Sequence, residues 1–160
     1  MELKVIKMDI PDGSNLILGQ SHFIKTVEDI YEVMTGIAPN AKFGIAFSEA
    51  SGDCLVRKEG NDASLIEAAT QNSLTLACGH TFVVLMKGAY PINVLNAIKA
   101  VQEVCAIFCA TANPLQAVVA ETEQGRGIMG VIDGFPPKGA EGPAQVEERR
   151  NLLRRFAYKL

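Results

Sequence analysis

A chain of 160 residues with 15 Lys plus Arg, 18 Asp plus Glu and a formal charge of −3 is weakly acidic, and its 48% apolar and 21% charged content is that of a folded protein. Disorder, collagen and repeat arrays are excluded, and because domains run to ~100–200 residues, residues 1–160 suit one domain able to hide roughly 70% of its unfolded surface. The longest apolar run, Val104 to Ala112, falls far short of the ~20 residues of a spanning helix, so no membrane crossing is expected. Cys54, Cys78, Cys105 and Cys109 lie scattered in apolar stretches and read as buried free thiols rather than a disulfide framework. The opening MELKVIKMDI carries charges among its apolar residues, unlike a signal or transit peptide, and the expected compartment is the cytoplasm.

Leu3, Val5 and Met8 alternate with Glu2, Lys4 and Lys7, and Pro11 to Asn15 supplies turn chemistry before Leu16-Ile17-Leu18, which predicts a hairpin. Thr26, with Asp29 three residues on, predicts a capped helix over Val27 to Thr35, stopped by Gly36 and Pro39. Lys42 to Ser48 and Cys54 to Glu59 read as a second hairpin about the Glu49 to Asp53 loop. Asn61 or Asp62 can cap a helix with Leu65, Ile66, Ala69 and Leu74 on one side, ending before Gly79. The unbroken apolar run from His80 to Met86 predicts a strand buried on both faces. Pro91 opens a helix over Ile92 to Val101, with Ile92, Leu95, Ala97 and Ile98 inward. Strands follow at Cys105 to Ala110, Leu115 to Glu121 and Gly127 to Ile132, then a Pro- and Gly-rich loop to Pro143 and a charged, packed amphipathic helix over Ala144 to Ala157. Hairpins with intervening helices imply an α/β or α+β domain built on a mixed, largely antiparallel sheet, not an all-parallel Rossmann sheet.

Gly125-Arg126-Gly127-Ile128-Met129-Gly130 matches G-x-G-x-x-G, but Val131-Ile132-Asp133-Gly134 follows as strand and turn, where a dinucleotide fingerprint must enter a helix. Between strands the motif resembles a phosphate-covering hairpin; the plain alternative is a glycine turn. Arg126 can grip phosphate through parallel N–H donors, or it is an ordinary loop arginine. Glu121 and Glu123 share a face if the strand reaches that far, and could hold a nucleotide-borne metal or act as a base. His22 and His80, each after a glycine-containing turn, can shuttle protons or accept a phosphoryl group, against the alternative of a hydrogen-bonded strand-end imidazole. Lys25 and the helix start at Thr26 add positive potential beside His22. Cys105 and Cys109 are separated by three residues in an apolar strand, no C-x-x-C exists and neither histidine is near that pair in sequence, so zinc is rejected. The Glu147 to Phe156 stretch is locally basic, yet its acids precede its bases in helix-favourable order, and nucleic acid is not expected as a partner.

GQSHFIKTVEDIYE at Gly19 to Glu32, FGIAFSEASG at Phe43 to Gly52, the block from Tyr90 to Gly139 and RRNLLRRFAYK at Arg149 to Lys159 together resemble the adenosine-specific kinase family. The resemblance implies a compact α/β protein that binds adenosine or AMP, forms homo-oligomers and is linked with phosphohistidine. In that light His22 and His80 are candidates for the phosphorylated imidazole, and the Gly125 to Gly130 corner with Arg126 for a phosphate contact. Phe135 offers an aromatic face for adenine and Lys138 a cation for phosphate. The leading expectation is a phosphotransferase in which Arg126, with Lys25 or Lys138, neutralises the charge of the phosphoryl group. It brings in ATP or another phosphate donor and leaves room for Mg²⁺. The alternatives are a non-catalytic adenosine or AMP sensor and a purely structural homo-oligomer.

Overall fold

The computed structural model describes residues 1–160 as eight strands and four helices in one α+β domain. The elements are β1 (Glu2–Lys7), β2 (Asn15–Ser21), α1 (Thr26–Ile37), β3 (Lys42–Ser48), β4 (Val56–Gly60), α2 (Ala63–Leu76), β5 (Thr81–Lys87), α3 (Pro91–Lys99), β6 (Val104–Thr111), β7 (Leu115–Glu121), β8 (Arg126–Asp133) and α4 (Pro143–Arg155). All strand pairs are antiparallel, as the hairpin-rich pattern predicts, but they divide between two sheets, β4-β3-β5-β2-β6 and β1-β7-β8. No helix is long and apolar enough to cross a membrane.

The five-stranded sheet is the middle of three layers. On one side Phe43, Ile45, Phe82, Val84 and Met86 meet Val27, Ile30 and Met34 of α1 and Val94 and Ile98 of α3. On the other, Leu16, Leu18, Val83 and Leu85 meet Leu65, Ala69 and Leu76 of α2 and Leu115, Ala117 and Val119 of β7. Strand β5 is therefore apolar throughout because successive side chains serve opposite cores, as its continuous run predicts.

Several expectations are corrected. β1 pairs with β7, not β2; the turn in which the Ser14 amide donates to the Pro11 carbonyl carries the chain from one sheet to the other. Thr26 is not a cap: α1 is capped at Lys25 without a side-chain bond, and the buried Thr26 hydroxyl donates to the Phe23 carbonyl at 2.6 Å. Asp62 does cap α2, accepting from the Leu65 amide at 3.1 Å, while Asn61 ties Ala41 to Phe43. Leu74 and Ile92 point to solvent; Leu76 and Val94 take the inner positions. Of the four cysteines, all free, Cys54 and Cys105 are exposed rather than buried. Helix α4 buries no residue, so the expected packed amphipathic helix is absent.

Burial and the Asp133 carboxylate, 3.6 Å from its sulfur, push the Cys109 thiol from 9.0 up to about 12. A folded-state value above the ordinary one favours the fold fully below pH 9 and loses that contribution as pH rises from 9 to about 12. With dithionitrobenzoate at neutral pH, Cys54 and Cys105 should react at once, and Cys78 and Cys109 only after unfolding. Four fast thiols in the native protein would contradict this packing.

Candidate functional site

Two segments that close the same end of the five-stranded sheet build a cleft against the β7–β8 hairpin. The chain leaves α2 through Ala77, in left-handed conformation at φ 51°, and enters β5 through His80, also left-handed at φ 59°. His80 is fixed from both sides: its amide donates to the Ser48 carbonyl at 2.7 Å, and its carbonyl accepts from the Ser21 amide at 3.0 Å. Its ring lies against Phe47, centroids 5.8 Å apart and planes 23° from parallel. Gly79 precedes it because a β-carbon there would stand 2.9 Å from the Ala50 methyl carbon.

The opposite wall is the β7–β8 hairpin, closed where the Thr122 amide and hydroxyl both donate to the Gly125 carbonyl. Arg126 ties this wall to α2. Its Nε donates to Glu121 Oε2, its Nη1 donates to the Thr75 carbonyl at 3.2 Å, and its backbone forms a single parallel bridge with Cys78. Lys4 donates to the other Glu121 oxygen at 2.7 Å; these two cations hold the Glu121 carboxyl below the usual range, with the Lys4 contact foremost. Two of the five guanidinium donors are thus engaged, and Nη2 has no partner in the chain.

Between the walls lies a cleft of about 660 Å³, lined by His80, Gly125, Arg126 and Gly127, and also by Gln20, Glu49, Ala50, Cys54, Ala77, Gly79, Ala120, Thr122 and Gln124. Its size is that of an ordinary small-molecule site, which spans about 300–1,000 Å³. Three of the four non-glycine residues with positive φ, Cys54, Ala77 and His80, line it. Each such residue costs roughly 1–3 kcal/mol, and such strain gathers at functional sites. Glu49 is the one carboxylate in the lining; the Leu55 amide and then Arg57 hold it below the usual carboxylate range. No three His, Cys, Asp or Glu side chains converge anywhere. Both Glu49 oxygens are engaged, Oε2 by the Leu55 amide at 2.9 Å and Oε1 by Arg57 at 2.8 Å.

The other sequence candidates lie apart. His22 is exposed at the same sheet end, its amide donating to the Glu103 carbonyl, but it does not line the cleft. Lys25 pairs with Asp29 and stands 3.9 Å from Glu103 Oε2, so its charge is already matched. Burial pushes the Glu103 carboxyl up. Thr26 is fully buried and its hydroxyl reaches only Phe23 and Ser21. Glu121 ends β7, so Glu123 sits exposed in the turn and the two do not share a strand face. Phe135 is 81% exposed beside a separate hollow with Lys7 and Gln116, and Lys138 is exposed on the following loop. Sequence reasoning missed Cys54 and Ala77, whose residue types give no sign of a left-handed backbone, and Glu49, which reads as loop composition.

A three-layer α+β domain with a strained, imidazole-bearing cleft of small-molecule size is the class that fold and site define. The chain belongs to the adenosine-specific kinase family, whose sequence profile matches residues 6–159. It is similar to the PH1918 protein from Pyrococcus horikoshii OT3, whose crystal structure superposes with a TM-score of 0.94 at 44% identity, over 99% of this chain and 98% of that one. No curated protein matches the sequence.

Proposed function

We propose that the cleft binds adenosine or AMP and that His80 carries the phosphoryl group in an adenosine-directed phosphotransfer. The observation that supports this most is the convergence of a strained, positioned imidazole and a guanidinium on one cleft. A structural histidine satisfies its ring nitrogens within the protein, whereas neither nitrogen of His80 has a partner in the chain. The neutral nitrogen can attack a phosphorus atom; its N–P bond forms as the donor's P–O bond breaks, and the electron pair leaves with the donor oxygen. A ribose hydroxyl oxygen then attacks the phosphorus; the new P–O bond forms as the N–P bond breaks, its electron pair returns to the imidazole nitrogen, and the hydroxyl proton passes to solvent. Arg126 Nη2 is the free donor that can meet phosphate oxygens.

His80 aside, the lining carries only Arg126 as a cation, which suits a nucleoside or monophosphate better than a triphosphate. The same shortage of cations favours the second reading, a sensor that holds adenosine without turnover; steady conversion of adenosine to AMP would discriminate against it. Calorimetry should detect adenosine and AMP binding, and Arg126→Ala should weaken AMP by about 10-fold or more while changing adenosine less. No heat with either ligand would overturn the reading.

A further inference from the structure

The five-stranded sheet carries a second hollow at the end away from His80. Strand β2 reaches both: Gln20 lines the cleft, and Asn15, at the strand's other end, lines a separate cavity of about 570 Å³. Tyr90 and Ile92 at the start of α3 and Ala112 just beyond β6 also line it, and Phe156 and Tyr158 come in from the end of α4. Ala157, the fourth non-glycine residue with positive φ, stands between those two rings at 57°. Its amide donates to the Arg154 carbonyl and the Tyr158 amide to the Leu153 carbonyl, both at 2.9 Å, so the turn is fixed and holds the Phe156 and Tyr158 rings 6.2 Å apart, edge to face. Tyr90, Ile92 and Phe156 are 61%, 64% and 58% exposed. Single exposed apolar side chains need no explanation, but aromatic ones gathered about a hollow of small-molecule size mark a ligand pocket.

The polar chemistry of this cavity is sparse and neutral. No Asp, Glu, Lys, Arg or His lines it, whereas the cleft has Glu49, His80 and Arg126. The Thr111 hydroxyl in the lining is committed to Asp133 Oδ1 at 2.7 Å. Asn15 is not committed. Only 9% exposed, it donates one N–H to the Ala89 carbonyl at 3.3 Å, and its Oδ1 and second N–H have no partner in the chain. A carboxamide buried this far loses free energy while those groups stay unpaired, and a ligand that pairs them recovers it. The complement of an acceptor beside a donor is a donor beside an acceptor, the match by which an asparagine amide reads the edge of a base.

We infer that this cavity binds a flat, uncharged aromatic molecule carrying an N–H donor beside an acceptor, the edge shared by aromatic carboxamides and aminopurine bases. Tyr90, Phe156 and Tyr158 supply ring surface for its faces, and Asn15 reads its edge. A carboxylate or phosphate is selected against, because no cation lines the cavity to offset its desolvation. The site shares no lining residue with the cleft and is independent of the role of His80.

Benzamide and adenine are the probes, and benzoate is the charged counterpart of the first. The chain has no Trp, and two of its three tyrosines line the cavity, so tyrosine emission reports occupancy alongside calorimetry. Benzamide or adenine should bind with a dissociation constant of about 1 mM or tighter, and benzoate about tenfold more weakly. The tighter of the two probes tells whether carboxamides or purines are the source of the edge. Ala112→Phe, at an exposed position, should fill the cavity and abolish binding there, with circular dichroism confirming the fold. Phe156→Ala with Tyr158→Ala should weaken it about tenfold, and Arg126→Ala, in the cleft, should leave benzamide binding unchanged. The inference is overturned if neither probe binds, if benzoate matches them, or if binding of both is undiminished in a folded Ala112→Phe variant. It also falls if acrylamide cannot quench Tyr90 and Tyr158 in the free protein, because another chain then already covers the pocket.

Discussion

His80→Asn should reduce incorporation of acid-labile phosphate from labelled donor to background, a loss of about 100-fold or more, while His22→Asn should label like the wild type. Asparagine is the informative replacement because it tolerates a left-handed backbone, so the φ of 59° and the bonds to Ser48 and Ser21 can persist without the imidazole. The two histidines differ by position: His80 lines the cleft with Arg126, and His22 does not. Undiminished labelling of the His80 variant, with its circular dichroism and melting unchanged, would remove the imidazole from the mechanism. Loss in the His22 variant alone would move the chemistry to the neighbouring strand end.

Gly44→Ala should destabilise the fold by about 3 kcal/mol or more, enough to leave little native protein on expression. A β-carbon at Gly44 would lie 2.2 Å from both the Ile66 nitrogen and the Leu65 carbonyl carbon. These are backbone atoms of α2, and no rotamer change relieves the overlap. The whole helix must withdraw from β3, opening the core that Leu65 and Ala69 fill beside Ala46 and Val83. Gly127→Ala is the matched control, since nothing lies within 4 Å of its added carbon and its cost should stay within about 0.5 kcal/mol. Equal urea midpoints for the two variants would refute the close approach of β3 to α2.

What could be read from sequence was local. The Asp62 cap, the β3–β4 hairpin and the doubly buried β5 each carry their signal within a few residues. The pairing of β1 was illegible because alternating Leu3, Lys4 and Val5 suits any antiparallel neighbour, and its true partner, β7, lies more than a hundred residues on. Thr26 misled by a single position: a hydroxyl one residue inside the helix reads the same as one at its cap. At the site, His80, Gly125, Arg126 and Gly127 were recognised by type, yet their meeting depends on the Cys78–Arg126 bridge, which no motif encodes. Phe135 and Lys138 were attractive for their chemistry alone, and the loop carries them away from the cleft.

The doubly buried strand at the middle of the molecule has a consequence for how the protein comes apart. Phe82, Val84 and Met86 serve one core while Val83 and Leu85 serve the other, so stripping either side leaves half of the same strand wetted. Neither hydrophobic compartment should dissolve while its twin persists, and melting is expected as one all-or-none event, with equal calorimetric and van't Hoff enthalpies, rather than a peeling of layers.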